Sequence, residues 1–124
     1  MKEIRAIIRP NRLDRLRTAL REVPGFPGLT VLRAEGFTAP SALAKRTDAE
    51  ELTDFSPKLM VSVLAETDMV DRIEQVILEQ CRTGHVGDGL LWTVEAGAVR
   101  RIRNGAALED GATPDAPTPA PRHP

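Results

Sequence analysis

Apolar residues in this chain come in short blocks that alternate between two periods, and the order of those blocks leaves few folds open. Leu13, Leu16, Leu20 and Val23 are spaced 3, 4 and 3, which lines one face of a helix. Met69, Ile73, Val76 and Ile77 mark a second helical face, and Cys81 continues it. The blocks around these stripes are shorter and richer in β-branched residues. Ile4 to Ile8, Leu29 to Glu35, Leu59 to Leu64, Leu90 to Val94 and Ala98 to Arg103 read as strands. The run Leu59-Met60-Val61-Ser62-Val63-Leu64 is nearly all apolar, so that strand is expected to be well buried. Asn11 can cap the first helix, and Pro24-Gly25 ends it. Asp68 can cap the second, and Gly84 stops it.

The order is therefore strand, helix, strand, strand, helix and closing strands. That is an α+β chain with a ferredoxin-like βαββαβ unit, both helices on one face of an antiparallel sheet. The other sheet face is left bare, and oligomerisation is the simplest cover for it. A length of 124 residues fits one domain. The folded domain is expected over residues 1–105. Five of the ten prolines fall in the last eleven residues, and Gly111 to Pro117 holds no large apolar side chain. Such a segment cannot bury enough surface to offset the entropy of ordering, so 106–124 reads as a flexible, polyproline-like tail. Residues 38–53 hold five charges, Pro40 and little apolar material. A loop that long inside a compact domain is usually functional or mobile.

Charge and composition remove several function classes. The 17 Lys+Arg against 18 Asp+Glu give a net charge of −1, without the basic excess of a broad nucleic-acid or anionic-membrane surface. With three Phe, one Trp and no Tyr, a stacking platform for single-stranded nucleic acid is not expected. A single cysteine, Cys81, permits no internal disulfide and no multi-cysteine metal cage. No apolar run reaches the roughly 18–20 residues that cross a bilayer. The charged start, Met1-Lys2-Glu3-Ile4-Arg5, is unlike a signal peptide. A cytoplasmic location is expected.

Two segments carry candidate chemistry. Thr83-Gly84-His85-Val86-Gly87-Asp88-Gly89 places three glycines between a helix end and a strand. Glycines let the backbone turn sharply and approach a ligand with amides free for an anion. Taken alone, Gly87-Asp88-Gly89 is more often just a turn. In the second segment, Arg101 and Arg103 flank Ile102, so a strand there would point both guanidiniums to one face. Phosphate is a natural partner for such a pair, because arginine binds it bidentately, and a solvated strand face is the other reading. Lys58 opens an apolar strand and either reaches a ligand or extends to water. No clustered histidines and carboxylates suggest a transition metal. No nucleophile has a local base, so a binding protein is expected rather than an enzyme.

These pieces together resemble the P-II signal-transduction family. The likeness runs through Met1-Lys2-Glu3-Ile4-Arg5-Ala6-Ile7-Ile8-Arg9-Pro10, then Pro27-Gly28-Leu29-Thr30-Val31 and Gly36-Phe37. It continues through Asp54-Phe55-Ser56-Pro57-Lys58, the glycine turn and Arg101-Ile102-Arg103. The resemblance implies a homotrimer with an adenine nucleotide (ADP, AMP or ATP) in clefts between subunits. It implies that Gly87, Asp88 and Gly89 wrap the phosphates and that Arg101 and Arg103 reach them from the neighbouring subunit. Thr30, Gly36, Phe37 and Leu64 would hold the nucleoside, and Lys58 would sit near the phosphates. Residues 38–53 would be the loop that engages a target, either a membrane transporter or a metabolic enzyme.

This chain also departs from the family's usual pattern. The loop tyrosine is missing, with Glu51 near its place, so uridylylation of the usual kind is impossible. Thr38-Ala39-Pro40 replaces Gly-Arg-Gln, removing a glutamine that helps hold magnesium and 2-oxoglutarate. That argues against sensing of this metabolite. Leu90 stands where a lysine is usual, which weakens discrimination in favour of ATP. A related sensor of another small anion, such as bicarbonate or a cyclic nucleotide, is the alternative. A small enzyme or metal-handling protein of the same fold, encouraged only by His85, is a third reading.

Overall fold

A computed structural model describes residues 1–37 and 55–111. The loop expected at 38–53 and the tail beyond Gly111 fall outside the described residues. The strands are β1 (Lys2–Ile8), β2 (Thr30–Gly36), β3 (Ser56–Ala65), β4 (Leu90–Glu95), β5 (Val99–Arg100) and β6 (Ala107–Leu108). The helices are α1 (Leu13–Arg21) and α2 (Val70–Cys81). The main sheet has the order β2-β3-β1-β4, with every neighbouring pair antiparallel. This is the α+β, βαββαβ arrangement expected.

Alternation along the strands decides the two faces. Ile4, Ala6 and Ile8 of β1 are buried, as are Val61, Val63 and Ala65 of β3. They pack with Leu16, Leu20 and Val23 at α1 and with Val70, Ile73, Val76, Ile77 and Cys81 of α2. The two apolar stripes read from the sequence are thus the core faces of the helices. Thr93 of β4 also faces this side, donating to Glu74 of α2 at 3.1 Å.

The opposite sheet face is open, which corrects the expectation for β3. Only alternate residues of its apolar run are buried. Register places Ile7, Met60, Leu32 and Leu90 on the open side, and Leu32 is 57% and Leu90 72% exposed. Within this apolar frame, Arg5 donates to Glu3 at 2.7 Å and Ser62 donates to it at 2.6 Å. These bonds, Arg5's first, hold the Glu3 carboxyl below its usual range.

Three local readings are corrected. Neither helix has a side-chain cap: α1 follows a 3-10 turn over Pro10–Arg12, and α2 one over Thr67–Met69. Proline at the start of such a turn supplies the fixed φ without needing a cap. The closing strand expected over 98–103 is only Val99–Arg100, and it pairs with β6 instead of the main sheet. The chain then turns back: Arg101 donates its N–H to Ala106, and Gly105 donates to Arg101. Residues 102–104 form the turn, so Arg101 and Arg103 do not share a strand face. Finally, the segment just after 105 is structured as far as it is described. Ala106 is buried, and β6 supplies half of the small hairpin. Its short apolar content was too sparse to register as an element, yet backbone pairing holds it.

Candidate functional site

The glycine turn after α2 is built around one carboxylate. Asp88 accepts hydrogen bonds from the backbone N–H groups of Thr83 and Gly84, both at 2.8 Å, and from the Thr83 hydroxyl. Arg9 donates its Nε to the same carboxylate at 3.0 Å. Burial opposes ionisation, but these bonds, those from Thr83 foremost, outweigh it and hold Asp88 far below the usual carboxylate range. Asp88 is therefore fixed as an anion that ties the turn together.

Two cations grip the other side of the turn. Arg9 donates Nη2 to the Val86 carbonyl at 2.9 Å, and Lys58 donates Nζ to the Gly87 carbonyl at 2.7 Å. Partial burial, and then the charge of Arg9, push the Lys58 pKa down. Each cation arrives from the end of a central strand, Arg9 just past β1 and Lys58 early in β3. Register explains their meeting, because Ile8 lies opposite Leu59.

Glycine is required at two points here. Gly87 has φ +100° and Gly89 φ +104°, a region open mainly to glycine. A Cβ at Gly89 would stand 1.7 Å from the Ile7 carbonyl oxygen, so the turn lies directly on β1. Nearby, Gly36 ends β2 opposite Ser56, whose hydroxyl donates to the Gly36 carbonyl at 3.3 Å. Phe37 meets Phe55 edge-on, with ring centroids 4.7 Å apart. Gly36, Phe37, Lys58, Gly87, Asp88 and Gly89 thus gather at one end of the sheet.

The other expected residues lie elsewhere. Thr30, Leu64 and Arg101 line a groove of about 740 Å³ at the opposite end, walled by Gly25–Leu29 and by Leu108 and Glu109. Lys58 and Leu64 are six residues apart on β3, about 20 Å at the rise of a strand. Arg103 lies in the exposed turn beyond Arg101. One chain therefore holds two separate half-sets of the expected residues. Arg9 was not singled out in the sequence. Its partners lie 77 and 79 residues away, and the only local signal was a charge just before Pro10.

Among the described residues, no three His, Cys, Asp or Glu side chains come together to hold a metal. No helix among them is long and apolar enough to cross a membrane. Comparison with known proteins agrees with the fold. The family model described as nitrogen regulatory protein P-II matches residues 1–106. Nitrogen regulatory protein P-II of Azospirillum brasilense is 39% identical over 106 residues, covering 85% of this chain and 94% of the relative. Its namesake from Pasteurella multocida is 36% identical over 111 residues, covering 89% and 98%. Nitrogen regulatory protein P-II 1 of Escherichia coli is 38% identical over 106 residues, covering 85% and 94%. The chain belongs to the P-II nitrogen regulatory protein family.

Proposed function

We propose that this protein is a signal-transduction regulator that binds an adenine nucleotide between the subunits of a homotrimer. In this reading, residues 38–53 carry the nucleotide state to a target transporter or enzyme. The observation that carries it is the pair of cations on the glycine turn. Arg9 binds Asp88, a carboxylate already engaged by Thr83 and Gly84, and Lys58 binds the neighbouring Gly87 carbonyl. The cluster keeps an excess of positive charge beside a backbone that only glycine can form. Such a place suits phosphate.

The separation of the two half-sets supports a shared site. Gly36, Phe37, Lys58 and the glycine turn would come from one subunit, and Thr30, Leu64, Arg101 and Arg103 from its neighbour. Leu32 and Leu90 on the open sheet face supply apolar surface for the contact. Calorimetry with ATP, ADP and AMP tests the reading. Binding of at least one at micromolar to millimolar affinity is expected, with ADP or AMP rivalling ATP. No heat from any of the three at millimolar ligand overturns it.

Leu90 favours a second reading. It projects as an exposed apolar residue at the site's edge, where a phosphate-binding cation would serve a triphosphate. A sensor of a smaller anion, such as bicarbonate or a cyclic nucleotide, would need less charge. A thermal-shift series with those ligands separates the two. Stabilisation by ADP alone counts against the second.

A further inference from the structure

One wall of the groove at Thr30, Leu64 and Arg101 comes from residues that follow the last strand of the main sheet. Leu108 and Glu109 form it, Leu108 within the small β5–β6 hairpin and Glu109 directly after it. The hairpin is internally well tied. Arg100 donates Nε to the Gly105 carbonyl at 3.0 Å, and Ala106 donates its N–H to Asn104 Oδ1 at 2.9 Å. What fixes it against the body is the residue pair that follows. Asp110 Oδ1 accepts the Thr67 N–H at 2.9 Å, and Asp110 Oδ2 accepts the Thr67 hydroxyl at 2.7 Å. The next residue, Gly111, donates its N–H to Glu66 Oε1 at 3.1 Å. The Met1 main-chain nitrogen adds a contact to Asp110 Oδ2 at 3.2 Å.

We infer that Asp110 is a positioning residue for this groove. Its carboxylate latches the hairpin to the turn after β3 and so holds Leu108, Glu109 and Arg101 where a ligand would meet them. The inference rests on the nucleotide reading and adds to it the element that shapes the nucleoside half of the site. Two features support it. The latch is bidentate, one oxygen to a backbone N–H and the other to a hydroxyl, which fixes direction as well as distance. It also joins residues 43 positions apart, with the groove wall directly before it in sequence. These bonds lower the Asp110 pKa, the Thr67 hydroxyl contributing first. Asp110 is therefore ionised at neutral pH, the form that accepts these bonds.

Two variants and two readouts test this. Asp110→Ala removes the two bonds to Thr67 and the contact with the Met1 amino group; Asp110→Glu keeps a carboxylate. Amide hydrogen exchange reads the latch without ligand. In Asp110→Ala, exchange of residues 106–111 should accelerate about tenfold or more while β1 and β3 stay protected. Calorimetry on the same proteins should show nucleotide affinity falling about tenfold in Asp110→Ala, as expected for losing a charged hydrogen-bonded support. Asp110→Glu should recover part of that loss, and a single cooperative thermal transition should persist across the series, with its midpoint lowest in Asp110→Ala. Unchanged exchange overturns the latch, and accelerated exchange with affinity equal to the parent protein's overturns the positioning role. A parent protein that binds no adenine nucleotide instead overturns the site reading and the positioning role with it. These failures are distinguishable, because exchange reports the latch with no ligand present.

Discussion

Among single residues, Asp88 and Gly89 decide whether the turn exists. Asp88 is held ionised by Thr83, Arg9 and Gly84, so its folded pKa lies below its unfolded one. A carboxyl depressed in this way adds stability above the unfolded pKa of about 4 and loses it as pH falls through the folded value. Asp88→Asn should therefore cost about 1–3 kcal/mol in urea unfolding at pH 7. It should also flatten the loss of stability below pH ~4, since the group that titrates is gone. An acid limb identical to the parent's would show that Asp88 is not the titrating group. Gly89→Ala meets a harder limit, because its Cβ would overlap the Ile7 carbonyl and the φ is positive. Loss of folded protein is expected, read as loss of the cooperative thermal transition. The sequence made the glycines and Asp88 visible because they are adjacent. Arg9 stayed hidden because its role exists only once β1 and the distant turn are brought together.

Elements were legible where a periodic pattern was long enough to stand alone. The stripes of α1 and α2 are legible directly, because each spans several repeats of its period, whereas β1 is legible only as a short β-branched run. The β5–β6 hairpin was misread because two-residue strands show no period. Its shape comes from the Arg101–Ala106 and Gly105–Arg101 backbone bonds. A chain ended after Gly105 should consequently be less stable than one ended after Gly111. The difference should be about 2 kcal/mol in urea unfolding, for the loss of buried Ala106 and its bonds. Equal stability of the two would mean that β6 contributes nothing to the fold. Helix α2 gives a second test in its last turn. Burial pushes the Cys81 thiol up to about 11. The unfolded chain releases that proton near pH 8.5, so it gains stability over the folded form as pH rises from there. Folding stability should therefore fall between about pH 8.5 and 11, and Cys81→Ala should remove that slope. The folded thiol should also react slowly with a disulfide reagent at pH 8.

For the whole molecule, the decisive fact is that the expected site is divided. Lys58 and the glycine turn lie at one end of the sheet, and Thr30, Leu64 and Arg101 at the other. The separation follows from strand geometry; the resemblance already implies Arg101 and Arg103 from a neighbouring subunit, but motif reading gives identity and order, not the end of a sheet, and so does not part Thr30 and Leu64 from Gly36 and Phe37. A shared site makes a prediction that a site within one chain does not. Lys58→Ala and Arg101→Ala should each abolish nucleotide binding in homogeneous assemblies, for opposite reasons. In the proposed trimer, unfolding and refolding equal amounts of the two together would create junctions where an intact Lys58 faces an intact Arg101. With random assembly each junction draws its two contributors independently, so roughly a quarter of the sites should be restored. Calorimetry of the mixture should show parental affinity at about that stoichiometry, and of the separate variants no heat. If the mixture stays silent while the parent protein binds and all remain trimeric, the two half-sets serve different sites. If a single variant keeps full binding, the residue it lacks does not belong to the site. Restored binding in the mixture has one physical explanation, that each ligand is held by residues from two chains.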